Sequence, residues 1–531
     1  MAAKLPYLCL KEIFEYIFIN RAATKLSDIL SCIHVNKDWC KIAIPILWRD
    51  PFDNNLQFEH VTKLVDVYIA SFPPTLQNLL NLPSKDLYAT NPSFNYAKFL
   101  RRMNLTQIRA ASSHWLKHKK ITSKCPIFEH LCTHFVNSAQ TLRIIEFKPE
   151  FDAIVNVNIF TLPNASSSLY YIREFDCYGE PIDNLYATAA NVATMIKNLR
   201  ISLVHGCPIM STTLNDISTL IKSQRQLEKF YVNNRIGCFC CPQDLSMALN
   251  LTNVFSSLGS QAKNLLSCHF FSINFHNDFP LKQLAECQNL QELIISRCWN
   301  FGTLDYSNVH LKSFARLSTI ELILSIIPDM LVKTFLIQSG RSLRKIKFEQ
   351  HSLHGTFSET LQFCAENNQN ITNILAFIYP EEIYKLPMFF SACQQLEQLE
   401  LWDKNTPNRR GYEDLHYSMR TVETIDVNEI LPRLGTAIPR SLVNFKINMK
   451  WSFTSASLEN FLHACQAPLE SLSFEHCECF SEEHLETVIQ SLKTPLKLLN
   501  IMHANFEVTS KIRVRVKYMI KTILNKPAHS L

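Results

Sequence analysis

Along its first fifty residues the chain alternates apolar and polar positions with a helical period. Leu10, Ile13, Phe14 and Ile17 recur at i, i+3, i+4 and i+7 with Lys11, Glu12 and Glu15 between them, which predicts an amphipathic helix with one apolar stripe. Pro6 falls near its first turn, where a missing N–H removes no hydrogen bond. Ile29, Leu30 and Ile33 predict a second short helix capped by Ser27 or Asp28. Trp39, Ile42, Ala43, Ile46 and Leu47 predict a third, starting near Asn36 and kinked or shortened at Pro45, with Trp48 extending its apolar surface. These helices carry Leu5, Leu10, Ile13, Phe14, Ile17, Trp39, Leu47 and Trp48, more large apolar groups than so small a unit can hide. Some of them are expected to face a partner.

In order and spacing these residues resemble the F-box domain. That family's pattern opens on Leu-Pro, continues through a helix ending Ile-Phe-x-Tyr-hydrophobic, then shows Val-x-Lys-x-Trp and closes on Leu-Trp. The matching residues here are Leu5-Pro6, Ile13-Phe14-Glu15-Tyr16-Ile17, Val35-Asn36-Lys37-Asp38-Trp39 and Leu47-Trp48. Where the family commonly has an acidic residue after Leu-Pro, this chain has Tyr7-Leu8. The resemblance implies docking onto the Skp adaptor of a cullin-RING ubiquitin ligase, mainly through the first helix and the Leu-Pro segment, with Trp39 supporting the domain. The adaptor-binding residues it implies are Leu5, Pro6, Leu10, Ile13, Phe14, Ile17, Val35, Trp39, Leu47 and Trp48. The plainer reading of the same stretch is a helical cap on a larger domain.

From about residue 140 the period changes and short segments of one type recur. "LQELIISRC", "LRKIKFEQH", "LEQLELWDK" and "LESLSFEHC" follow the leucine-rich pattern L-x-x-L-x-L-x-x-N/C, as in Leu290, Leu293, Ile295 and Cys298 or Leu469, Leu472, Phe474 and Cys477. Looser copies start at Leu142, Ile172, Leu199, Leu227, Leu265, Leu317, Ile371, Leu442 and Leu496. Most steps fit the length of such repeats, and "SETLQFCAENN" and "SASLENFLHACQ" between them read as amphipathic helix. Thirteen strand-plus-helix turns predict a curved solenoid. Two steps are long, around "NRIGCFCCPQDL" and "DKNTPNRRGYEDLHYSMR", and are expected to be surface insertions. Glu292, Arg344, Lys345, Glu397 and Glu470 are expected to face solvent on the sheet.

Between the two regions, "FEHVTKLVDVYIASF" and "FEHLCTHFVNSA" read as helices and "PPTLQNLLNLPS" as a proline-punctuated connection. At the other end, "KIRVRVKYMIKTIL" alternates Lys511, Arg513, Arg515 and Lys517 with Ile512, Val514 and Val516, which predicts an edge strand or terminal cap.

A chain of 531 residues exceeds one ordinary core, and a hydrophobic fraction of 47% with 19% charged residues predicts a folded one. A net charge of +6 is too small to name a nucleic-acid partner. The opening segment lacks the uninterrupted apolar run of a signal peptide and no later stretch is long enough for a membrane span, so an intracellular protein with reduced thiols is expected. The nine glycines are scattered, which excludes a Walker loop or a dinucleotide fingerprint. H-E-x-x-H and G-x-S-x-G do not occur. Cys238 and Cys241 have the spacing of a zinc knuckle or redox pair with no second tight pair, and His130 and His134 at i and i+4 could share a metal with Cys125, but reduced thiols and packed histidines are the simpler readings. Cys207, Cys298 and Cys477 fall where the repeat places a small polar group bonded to loop backbone.

The expectation is therefore an α/β protein: a three-helix F-box module at 1–50, a helical connector with degenerate first repeats at 51–140, and a leucine-rich-repeat solenoid at 141–531. It resembles the F-box leucine-rich-repeat proteins abundant in fungi. That resemblance implies a non-catalytic substrate receptor of a Skp-cullin-F-box ubiquitin ligase, cytoplasmic or nuclear, holding an unknown target protein on its repeats for ubiquitination and proteasomal degradation. No cofactor, metal, nucleic acid or membrane partner is expected. The alternative is a repeat scaffold acting without a ligase.

Overall fold

A computed structural model describes residues 6–19, 26–52, 58–79, 92–121, 125–147, 157–178, 182–204, 211–235, 251–304, 313–325, 327–349, 357–403, 424–502, 504, 508, 512, 516 and 518–524. The chain forms two compact units, Met1–Leu265 and Leu266–Leu531.

The first unit opens with α1 (Tyr7–Ile19), α2 (Leu26–Ile33) and α3 (Lys37–Leu47). Their shared core is Leu10, Phe14, Phe18, Ile29, Ile42, Ala43 and Ile46. The Asn36 side chain caps α3 by accepting from the backbone N–H groups of Asp38 and Trp39 at 2.9 and 2.8 Å. Pro45 does not end this helix at once: α3 runs two residues past it, closed by the Trp48 N–H donating to Ile44 O at 3.0 Å. Ser27 and Asp28 lie inside the first turn of α2 and not at its cap, and Asp28 there favours the positive end of the helix dipole.

Next come α4 (Phe58–Ala70), α5 (Pro74–Leu79), α6 (Leu105–His118) and α7 (Ile127–Ser138). The connection read in "PPTLQNLL" is in fact the short helix α5, because proline at a first turn loses no bond; the N–H groups of Leu76 and Gln77 reach Pro73 O at 2.9 and 3.1 Å. Asp66 of α4, nearly buried, accepts from Trp115 Nε1 at 2.8 Å and pairs with Lys119 at 3.3 Å, which fixes α4 against α6.

The strands of this unit are β1 (Arg102–Asn104), β2 (Ile144–Phe147), β3 (Glu174–Tyr178), β4 (Asn198–Val204) and β5 (Lys229–Arg235), each parallel to the next. Parallel strands need a crossover, and the helical text between the anchors supplies it. Leu100, Leu142, Ile172, Ile196 and Leu227 are buried anchors two residues before each strand. The expected anchor Leu199 is corrected to Ile196: β4 pairs Leu199 with Phe175, the second apolar position of the pattern. β1 adds a strand inside residues 51–140, in register with β2.

The second unit stacks β6 (Ser267–Phe271), β7 (Glu292–Ser296), β8 (Thr319–Ile323), β9 (Lys345–Glu349), β10 (Asn373–Ile378) and β11 (Gln398–Asp403), followed after β12 (Ile425–Asp426) by β13 (Asn444–Asn448). After β14 (Trp451–Ser452) come β15 (Ser471–Glu475), β16 (Leu496–Asn500) and β17 (Ile520–Leu524). All but β12 and β14, which pair with each other, join one parallel sheet in chain order. Helices Phe357–Asn367 and Ser455–Ala464 occupy the stretches expected to be helical. Each unit is thus a leucine-rich-repeat stack, one strand per repeat with its leucines inward. The expected terminal strand is shifted: the edge strand is β17, while Ile512 and Val516, four residues apart, have helical backbone and Val516 is buried. The four basic residues of that alternation lie outside the described residues, as do both long insertions apart from their first residues.

Candidate functional site

In α1 the buried side is Leu10, Phe14 and Phe18, with Ile17 packed at its margin. The helix therefore turns Ile13 outward, at 44% exposure, beside Tyr16 at 70% and Leu8 at 71%. Cys9, Ile13 and Tyr16 follow one another at i, i+4 and i+7, an apolar stripe on the solvent side with Glu12 and Leu8 at its border. Leu30 of α2 and Val35 before α3 are exposed as well. A shallow groove of about 510 Å³ opens nearby, lined by Ile33, His34, Lys37, Cys40, Lys41 and Phe94.

The residues implied as adaptor-binding thus separate into three sets. Pro6, Ile13 and Val35 are exposed; Leu10 and Phe14 are core; Ile17, Trp39 and Leu47 pack against that core from its edge, Trp39 meeting Phe14 edge-on at 5.3 Å. Trp48 has a different task. It stacks on Tyr96 at 3.9 Å and meets Tyr68 edge-on at 5.5 Å, so it joins the three helices to the first repeats. Leu5 lies outside the described residues. Leu8 and Tyr16, missed as site residues in the sequence, join the exposed set, as does Tyr7; their exposure became visible only once Phe18 was seen to share the buried stripe.

Next to Trp48 the chain is fastened further. Arg49 pairs with Glu15 and lies over the Phe18 ring at 3.8 Å, while its carbonyl accepts the N–H groups of Arg101 and Arg102 at 2.8 and 3.1 Å. Asp50 pairs with Arg102 at 3.3 Å.

On the sheet surface of the second unit, charges are largely matched in place. Lys345 meets Glu321 at 2.6 Å, Lys446 lies between Glu400 at 3.1 Å and Glu475 at 3.9 Å, and Glu470 pairs with Lys497 at 2.7 Å. Glu292 accepts from Ser267 at 2.6 Å and bonds His269 at 2.9 Å, and Arg344 donates to Asn370 O at 2.8 Å. The face is a set of internally bonded pairs, with Phe377 stacked on Trp402 at 5.9 Å.

Among the described residues no group of three His, Cys, Asp or Glu side chains is placed to hold a metal ion. His134 bonds Ser71 Oγ at 3.0 Å and packs on Phe72, and burial holds its pKa down at about 4. It is a neutral packing residue. Cys298 and Cys477 are buried and donate to backbone carbonyls of the preceding repeat, Phe270 O at 3.5 Å and Met449 O at 3.6 Å. Burial pushes the Cys298 thiol up to about 12, as it does Cys177. Cys207, Cys238 and Cys241 lie outside the described residues. Among the described residues no helix is long and apolar enough to cross a membrane.

No family model and no curated protein matches the chain. Among solved structures it is similar to the crystal structure of the Rad7 and Elc1 complex in yeast, at 12% identity over 97% of this chain and 99% of that one, with a TM-score of 0.40. It is also similar to the leucine-rich-repeat ectodomain of the Arabidopsis receptor kinase HAESA in complex with a peptide hormone, at 11% identity over 74% of this chain and 56% of that one, with a TM-score of 0.32. The architecture stated above is therefore read from the chain's own strands and registers.

Proposed function

We propose that the protein is the substrate-recognition subunit of a Skp-cullin-F-box ubiquitin ligase, non-catalytic, with α1 docking the Skp adaptor and the repeats holding a target protein. The observation that carries this reading is the solvent-side stripe of α1. A helix that has already buried Leu10, Phe14 and Phe18 still displays Leu8, Ile13 and Tyr16, in a stretch whose residue order resembles the F-box. Exposed apolar groups clustered on one element mark a protein-binding surface. Acting by proximity, such a receptor raises the effective concentration of target lysines near the ligase and needs no reactive group of its own.

The test uses the full chain co-expressed with a Skp adaptor and resolved by size-exclusion chromatography. Leu8→Asp/Ile13→Asp places two charges on the exposed stripe and none in the core, so the variant keeps its thermal midpoint and loses co-elution with the adaptor. Ile17→Asp is a poor probe, because Ile17 packs on the core and its loss unfolds the helices. A folded Leu8→Asp/Ile13→Asp variant that still co-elutes refutes the docking assignment and leaves the repeat scaffold without a ligase as the reading.

A further inference from the structure

In the first unit one row of side chains is basic at four of its five rungs. The residue just before each strand is Arg101, Arg143, Arg173 and Lys197 in four successive repeats, and Glu228 in the fifth. The row is a true backbone ladder. Arg143 N–H donates to Arg101 O at 2.9 Å, Arg173 to Arg143 O at 2.8 Å, and Lys197 to Arg173 O at 2.8 Å. These positions follow the buried anchors Leu100, Leu142, Ile172 and Ile196 and precede the inward-facing strand residues, so their side chains emerge at the N-terminal edge of the sheet.

The three guanidinium groups have no carboxylate partner among the described residues. Arg143 donates to its neighbour Leu142 O at 2.7 Å, and Arg173 donates to Met195 O at 3.3 Å and Gln226 Oε1 at 3.5 Å. Arg143 also lies over the exposed Tyr171 ring at 5.8 Å, and Arg225, near the same edge, over Tyr170 at 6.0 Å. Lys197 pairs with Glu228, which closes the row. Acidic side chains were available to neutralise it: Glu146 and Asp176 sit on the same strands, yet they pair with Arg102 and Arg200 further along the sheet. The unit as a whole leans the same way. Residues 1–265 carry 27 Lys plus Arg against 20 Asp plus Glu, whereas the rest of the chain carries 26 against 27.

We propose that this edge is a binding site for an acidic, extended protein segment, laid across the strands so that its carboxylates meet Arg101, Arg143 and Arg173. Neighbouring strands stand about 4.8 Å apart, so Arg101 to Lys197 spans roughly 14 Å, the length of about four extended residues. Guanidinium groups bind carboxylates in a bidentate fork, and a tyrosine beneath one of them holds it in place. A nucleic acid fits less well. The cationic track ends after four rungs at Glu228, and Tyr170 and Tyr171 stand edge-on at 88° with a guanidinium over each ring, which leaves no open platform for a stacked base. The proposal deepens the receptor reading by naming the chemistry of the target, and rests on that reading only for the target's fate.

Fluorescein-labelled decaglutamate is titrated with the full-length chain by anisotropy at two salt concentrations, with labelled decalysine and a single-stranded thymidine 20-mer as comparisons. Decaglutamate is expected to bind, decalysine not to, and binding to weaken as salt rises. Arg101→Gln/Arg143→Gln/Arg173→Gln is expected to weaken it about tenfold, the combined effect of three solvent-accessible ionic contacts. Circular dichroism reports whether that variant folds; if it does not, Arg101→Gln alone, at the most exposed rung, must weaken binding about twofold to threefold. No binding by the parent, undiminished binding by the folded variant, or binding of the thymidine 20-mer tighter than decaglutamate overturns the proposal. The two readings fail separately: the arginine variant still co-elutes with the Skp adaptor, and Leu8→Asp/Ile13→Asp still binds decaglutamate.

Discussion

His134 gives the sharpest consequence at the scale of single residues. Its folded pKa of about 4 lies below the 6.5 of a free imidazole because burial disfavours the charged form. A depressed pKa contributes stability that is complete above 6.5 and is lost as pH falls from 6.5 toward 4, since the unfolded chain takes the proton first. Urea denaturation of the first unit is expected to show a loss of about 1–2 kcal/mol between pH 7 and pH 5, and His134→Gln removes that part of the slope. The sequence showed His134 only as one of two histidines on an amphipathic helix; its environment depends on Ser71 and Phe72, sixty residues earlier. Cys298 and Cys477 were legible because the repeat assigns them a place. Ser325, which bonds the Cys298 N–H at 2.9 Å from the adjacent repeat, was not, since serine occurs everywhere in loops. Nor were the buried amides that tie repeat to repeat: Gln261 donates to Ile221 O and Gln224 O at 3.0 and 2.9 Å, and Asn368 to Leu336 O and Gly340 O at 2.9 and 2.8 Å.

Among elements, one close helix approach rests on a glycine. Helix Ile430–Ala437 passes helix Ser455–Ala464 where Gly435 has no side chain, and an added Cβ would overlap the Phe461 carbonyl oxygen and lie 3.0 Å from its Cα. Because the obstacle is backbone, it cannot rotate away. Gly435→Ala is expected to cost the second unit about 1–3 kcal/mol, read as a lowered denaturation midpoint, despite the better helix propensity of alanine. The period of the repeats made nearly every strand legible, because a slip by one residue would turn the leucines outward. Among the expected repeat anchors the exception is that of β4, displaced because Leu199 satisfies the same pattern three residues after the true anchor Ile196. The first helix was legible in extent and in most of its core, but four apolar positions left its facing ambiguous until Phe18 settled it. The α1 stripe was half legible for that reason, and the arginine row not at all: its members are adjacent only through the ladder, and no two are closer in sequence than Arg173 and Lys197.

For the first unit as a whole, the decisive connection is the seam at Trp48, Arg49 and Asp50. Trp48→Ala removes a stacked ring from between α3 and the first repeat and is expected to cost about 3 kcal/mol of that unit's stability, measured by urea denaturation. The loss is expected even though Trp48 lies outside the exposed stripe, because Tyr96 and Tyr68 lose the same partner. Sequence alone placed Trp48 at the end of a short module, where a terminal tryptophan reads as part of a docking face; its actual partners come from text with no repeat signal.

The same seam bears on how such a protein can be recombined. A cut after Asp50 looks clean in the sequence, falling at the end of the expected 1–50 module. In the folded chain it would leave Tyr96 without its stacked indole, Arg102 without Asp50, and two N–H groups at the head of β1 without the Arg49 carbonyl. Transplanting the three helices onto another body therefore requires carrying the first strand along or rebuilding its edge, so the unit of inheritance is longer than the motif that announces it.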